Sequence, residues 1–112
     1  MDLPVRHGEG KFVVPSADAL DAYTRQGLIA LRYRARGSGD KDGGAVSYPD
    51  DPNGSDGHVA GICDPTGRIF GLMPHPEAFL HPENHPDWTA RRPSEALGLR
   101  VFANGVRAAA EA

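Results

Sequence analysis

The chain has 112 residues, 39 % of them hydrophobic, and its 12 Lys and Arg residues against 15 Asp and Glu give a formal net charge of −3. This length holds one small domain with a modest core. Scattered basic residues build no stripe for a nucleic acid, no apolar run approaches membrane-spanning length, and the opening MDLPVRHGEG lacks the charged-then-apolar order of a signal peptide, which points to the cytoplasm. Cys63 is the single cysteine, which excludes an internal disulfide and a CxxC metal or redox pair.

In chain order, residues 3–6 read as a short extended piece leading into His7-Gly8-Glu9-Gly10, whose glycines permit a tight backbone, and residues 11–14 are extended again. Ser16 or Asp18 caps a short helix carrying Ala19, Leu20, Ala22 and Tyr23, with Gly27 as its stop. Residues 28–33, LIALRY, have the mostly apolar pattern of a buried strand. From about 37 to 57 Gly, Asp, Ser and Pro dominate, which predicts a loop insert or partly disordered chain. Residues 58–63 and 68–73 flank Asp64-Pro65-Thr66-Gly67, a turn sequence with proline early and glycine late, so a hairpin is expected. After a proline-rich stretch to Pro93, Ser94 caps a final helix whose Leu99, Phe102, Val106 and Ala109 form one stripe, expected to pack on a sheet face. No internal repeat is present, and the summed pattern is α/β with too few strands for a complete doubly wound sheet.

The segment MPHPE at 73–77 follows the second hairpin strand at once. Proline fixes its own φ and pushes the preceding residue toward extended geometry, so Pro74 and Pro76 stiffen the loop that carries His75 and Glu77. Such stiffness suits an imidazole and a carboxylate held in a set relation, although it also suits an ordinary strand exit. HPE alone is a common tripeptide and reads as a solvated loop pair. HGEG alone is a glycine-permitted turn, and PNGS at 52–55 carries no chemistry beyond a tight loop. His75, His81 and His85 form an H-x5-H-x3-H series, but His-Pro steps in an irregular loop lack the helical spacing of the usual zinc motifs, so no metal site is assigned.

Taken in series, LPVRHGEGKFV at 3–13, ALRY at 30–33, YPDDPNGS at 48–55, AGICDPTGRIFGLMPHPE at 60–77 and LRVFANGV at 99–106 resemble the glutaminase subunit of phosphoribosylformylglycinamidine synthase, a class I glutamine amidotransferase. The resemblance covers nearly the whole chain in the right order. It implies an α/β fold: a partial, flavodoxin-like amidotransferase sheet with an antiparallel hairpin and a C-terminal helix, residues 1–112 forming the C-terminal part of the domain. It also implies hydrolysis of glutamine by a Cys-His-Glu triad, with ammonia passed to a synthase subunit that uses ATP and magnesium in purine synthesis. No cofactor is expected in this chain itself. His75 and Glu77 match the last two triad members, and His7, Gly8 and Glu9 match a region that lines the glutamine pocket. In the triad the imidazole takes the thiol proton and the carboxylate fixes its tautomer.

The family's nucleophile sits upstream in a glycine-rich elbow between strand and helix, where backbone N–H groups can form an oxyanion hole. Nothing in this sequence resembles that elbow. Cys63 lies in ICDPTG on a predicted hairpin strand and reads as a packed cysteine. The chain is therefore expected to be inactive alone and to need a missing N-terminal half as partner, besides the synthase subunit and glutamine. The alternative is a non-catalytic relic or interaction module that binds the synthase. Ala78 departs from the family, where arginine is common after HPE.

Overall fold

The computed structural model describes residues 1–8, 10–37 and 45–111. Glu9, and residues 38–44 of the expected loop insert, lie outside the described residues. The chain divides into two compact units, one of residues His7–Met73 and one joining Met1–Arg6 to Pro74–Ala112.

In the first unit, α1 (Ala17–Arg25) starts where Ser16 Oγ accepts the Ala19 amide at 3.2 Å, which makes Ser16 and not Asp18 the cap. Asp18 in the first turn and Arg25 in the last complement the helix dipole. Gly27 follows with φ 72°, the left-handed stop that glycine permits. Three strands then form an antiparallel sheet in the order β1 (Ile29–Arg32), β2 (Val59–Cys63), β3 (Phe70–Leu72). The central strand carries the core: Val59 is 2 % and Ala60 6 % exposed, and Gly61 is buried.

Two strand expectations need correction. The 28–33 segment is a strand, but not a buried one: among the described residues β1 pairs with β2 alone, and as an edge strand it leaves Ala30, Leu31 and Arg32 exposed. The hairpin forms as expected with Gly61 opposite Leu72 and Cys63 opposite Phe70, yet β3 is shorter than residues 68–73. The cause is Asp64, whose Oδ1 takes the amides of Arg68 and Ile69, each at 2.9 Å, and so draws both donors away from the ladder. A further bond from the Thr66 hydroxyl at 2.6 Å, with the Ile69 and other backbone amides behind it, holds the Asp64 carboxyl down to about 2.

The described part of the 37–57 insert is more ordered than its composition suggests. Asp51 and Ser55 are only 3 % and 5 % exposed. Ser55 Oγ accepts the Phe12 amide at 3.1 Å, Asp56 Oδ2 accepts the Val14 amide at 2.9 Å, and the Asp56 amide donates to the Phe12 carbonyl at 2.9 Å. Ser55 and Asp56 thus act as the hydrogen-bonding partners of the extended 12–14 segment, which pairs with no strand among the described residues.

In the second unit, Val5 bridges Pro74 in antiparallel fashion, and short 3-10 turns occupy Pro76–Ala78 and Pro82–Asn84. Then come α2 (Trp88–Arg91) and α3 (Leu97–Ala110). Ala96, not Ser94, stands at the N-cap of α3 and offers no side-chain cap. The expected stripe is also turned outward: Leu99 is 54 %, Phe102 45 % and Val106 72 % exposed, and Ala109 is exposed. The helix instead seats its Leu97, Gly98, Val101 face, one residue out of phase, with buried Gly98 against the 76–79 turn and its amide donating to the Phe79 carbonyl at 3.1 Å. A Cβ on Gly98 would collide with the Pro76 and Phe79 carbonyl oxygens, so only glycine allows this approach. Among the described residues no helix is long and apolar enough to cross a membrane.

Candidate functional site

Both prolines of MPHPE are buried and set the frame. The Val5–Pro74 bridge is extended by the His75 amide, which donates to the Pro4 carbonyl at 2.7 Å, while the His75 carbonyl accepts the Ala78 amide at 3.1 Å. His75 is thereby fixed at the N-cap of the Pro76–Ala78 turn, with φ −106° and ψ 87°, and Glu77 lies in that turn. The two side chains meet: Glu77 Oε1 is 2.5 Å from His75 Nδ1. The other ring nitrogen is not free, because Nε2 lies 2.9 Å from the Arg6 backbone carbonyl. The first contact sets a carboxylate on one ring nitrogen, and the second sets a backbone carbonyl on the other.

The electrostatics agree from both sides. The bond to Glu77, followed by the bond to the Arg6 carbonyl, raises the His75 pKa, and the same bond to His75 lowers that of Glu77. The ring is about one third exposed and the carboxylate more than half exposed, so solvent can reach both.

His7 and Gly8 belong to the His7–Met73 unit and are exposed. His7 Nδ1 accepts the Gly10 amide at 3.3 Å, and Gly10 is buried because the Met73 sulfur comes within contact of where a Cβ would stand. Cys63 lies half-buried in β2 of the same unit, its sulfur 3.5 Å from the Gly27 carbonyl. His81 donates its amide to Asn84 Oδ1 at 2.9 Å, and the His85 ring packs on Phe79 at 5.9 Å. Among the described residues no three His, Cys, Asp or Glu side chains gather as metal ligands.

A second histidine–carboxylate pair escaped the sequence reading. Asp51 Oδ1 accepts the Gly54 amide at 2.9 Å and the Ser55 amide at 3.3 Å, while Oδ2 lies 2.8 Å from His58 Nδ1. Burial and then the Asp51 charge raise the pKa of Tyr33, whose hydroxyl is buried with no hydrogen-bond partner among the described residues, as are both amide atoms of Asn53. The readable signal was an Asp directly before Pro-Asn-Gly, the pattern of a carboxylate that caps its own turn. His58 seven residues on has no such signal.

Comparison with known proteins fits this picture. Residues 1–107 match the CobB/CobQ-like glutamine amidotransferase domain, and the chain belongs to that family. The open three-stranded sheet with its helices is accordingly part of an α/β glutamine amidotransferase fold. More particularly, the chain is similar to phosphoribosylformylglycinamidine synthase subunit PurQ of Dehalococcoides mccartyi, with 42 % identity over 94 % of this chain and 38 % of the relative. PurQ of Synechococcus sp. JA-3-3Ab is 43 % identical over 74 % of this chain and 30 % of its own length. PurQ of Archaeoglobus fulgidus is 46 % identical over 67 % and 27 %. The chain thus spans less than two fifths of the length of these relatives.

Proposed function

We propose that this chain contributes His75 and Glu77 to a Cys-His-Glu triad that hydrolyses glutamine and delivers the ammonia to phosphoribosylformylglycinamidine synthase in purine biosynthesis. The observation that carries the reading is the 2.5 Å contact between Glu77 Oε1 and His75 Nδ1, in the MPHPE segment whose resemblance implies a base and its orienter. In the reaction, His75 Nε2 takes the proton of a cysteine thiol, the thiolate attacks the glutamine amide carbon, and the imidazolium returns the proton to departing ammonia. Water then hydrolyses the thioester to glutamate with the same imidazole as base. Glu77 holds the Nδ1 proton and stabilises the positive ring.

Cys63 is the only cysteine of this sequence, and its β2 strand runs into the Asp64 turn and not into a helix, which is the wrong setting for an elbow nucleophile. The thiol is therefore assigned to a partner segment. The synthase subunit, with its ATP and magnesium, is the proposed acceptor of ammonia. His7, Gly8 and Glu9 are proposed to bind glutamine on the strength of the matched family sequence alone.

The deciding assay follows ammonia release from glutamine by the chain alone, and by the chain mixed with a separately expressed segment of a PurQ relative bearing the elbow cysteine. No turnover is expected in the first case and recovery in the second. His75→Ala should remove about a thousandfold of the recovered rate, the scale of general-base catalysis, and Glu77→Ala less. Recovered turnover that is indifferent to His75 would overturn the proposal. Tight association without any turnover would favour an interaction module instead, a reading to which the outward Leu99, Phe102 and Val106 stripe lends weight.

A further inference from the structure

The surroundings of His75 carry a consequence for how its activity is controlled. Its two ring nitrogens each meet an oxygen that can only accept: the Glu77 carboxylate at Nδ1, 2.5 Å away, and the Arg6 backbone carbonyl at Nε2, 2.9 Å away. A neutral imidazole has one N–H. With the proton on Nδ1, the Nε2 lone pair would face the lone pairs of the Arg6 oxygen. With the proton on Nε2, the Nδ1 lone pair would face a carboxylate. Only the imidazolium, a donor at both nitrogens, satisfies both contacts together.

We infer that the Arg6 backbone carbonyl is a latch that holds His75 doubly protonated and unable to act as a base, and that the latch opens when a thiol takes the place of the carbonyl at Nε2. The inference rests on the catalytic reading of His75 and adds a resting state to it. A general base needs a lone pair aimed at the proton it abstracts. In the latched state Nε2 has none, because its proton is donated to the Arg6 oxygen. Opening releases that proton to solvent and leaves the Nδ1–H···Glu77 bond as the orienting contact.

The latch is built into the backbone. Pro4 receives the His75 amide at 2.7 Å and Val5 bridges Pro74, so the strand that carries Arg6 is registered against the loop that carries His75. The pKa of His75 is raised by its bond to Glu77 and then by its bond to the Arg6 carbonyl, with desolvation and the Arg6 guanidinium opposing and the Glu77 charge favouring the shift. The guanidinium is a minor opponent beside the two hydrogen bonds.

Nitrogen-15 NMR of the imidazoles in the full chain tests this directly, with the His75 signals identified by their loss in His75→Gln. The expected result is a ring with both nitrogens protonated near neutral pH, titrating above the ordinary histidine value of 6.5. Replacing residue 7 by its α-hydroxy analogue turns the Arg6–His7 amide into an ester, whose carbonyl is a weaker acceptor. The His75 midpoint should then fall back toward 6.5. A ring that is neutral at neutral pH with Nε2 unprotonated in the unmodified chain would sink the latch, as would an ester that folds and leaves the midpoint unmoved. Should the ester variant not fold, the unmodified chain alone decides. The outcomes separate from the catalytic reading: a cationic ring with recovered turnover indifferent to His75 refutes the catalysis, and a neutral ring with turnover dependent on His75 refutes the latch.

Discussion

His75 with Glu77 and His58 with Asp51 are the same chemical pair set in two surroundings. The imidazoles are almost equally exposed, 37 % and 36 %, whereas the carboxylates stand at 59 % for Glu77 and 2 % for Asp51. Asp51 spends its second oxygen on the Gly54 and Ser55 amides, and His58 Nε2 meets a donor, the Val46 amide, at 3.5 Å. One acceptor and one donor suit a single tautomer, so this pair is satisfied as it stands and closes the PNGS turn. Around His75, both nitrogens face acceptors and the carboxylate is open to water. Partner count, more than the pair itself, separates a structural clasp from a group with a proton to move.

Breaking the buried pair should have the largest effect. Asp51→Ala removes a buried carboxylate that accepts from two loop amides and from His58, and a loss of about 3 kcal/mol is expected from the urea midpoint. A change below a third of that would mean that water replaces the carboxylate and that burial does not distinguish the two pairs.

The support of the exposed pair offers an intermediate effect. Gly98→Ala presses a methyl group into the Pro76 and Phe79 carbonyls and should cost about 2 kcal/mol by overpacking. Because those carbonyls belong to the turn that holds Glu77, the His75 imidazole signals should move as well. Unmoved signals would uncouple α3 from the site.

Glu77→Gln should give the smallest change in stability and the clearest change in titration. The raised His75 pKa contributes stability that is complete below the ordinary value of 6.5 and is lost as pH rises through the folded-state value. The lowered Glu77 pKa contributes stability present above 4.5 and lost as pH falls through its folded-state value. The pair is therefore fully effective between about 4.5 and 6.5, and the exposed setting keeps the amount small. In Glu77→Gln the His75 midpoint should drop while the urea midpoint at neutral pH scarcely moves. A midpoint that stays raised would assign the effect to the Arg6 carbonyl alone.

Much of the fold was legible because it is decided locally. The Ser16 cap, the Gly27 stop, the Asp64-Pro65-Thr66-Gly67 turn and the hairpin around it depend on hydrogen bonds within a few residues, and so does the approach of Glu77 to His75 across one stiff proline. Burial, strand length and the second partner of each polar group depend on what folds back from far along the chain, and there the sequence reading fell short. The apolar 28–33 run became an edge strand because, among the described residues, only β2 pairs with it. The α3 stripe faces outward because Gly98, smaller by a side chain, lets the neighbouring face come closer to the 76–79 turn. Asp51 met His58, and Arg6 placed its carbonyl on a ring 69 positions away, through backbone paths that no side-chain pattern records. Sequence alone determined which histidine and which carboxylate form the candidate pair. Tertiary structure decided that the imidazole's other nitrogen is occupied, because a backbone oxygen carries no signature of residue type and is found only by where the chain passes.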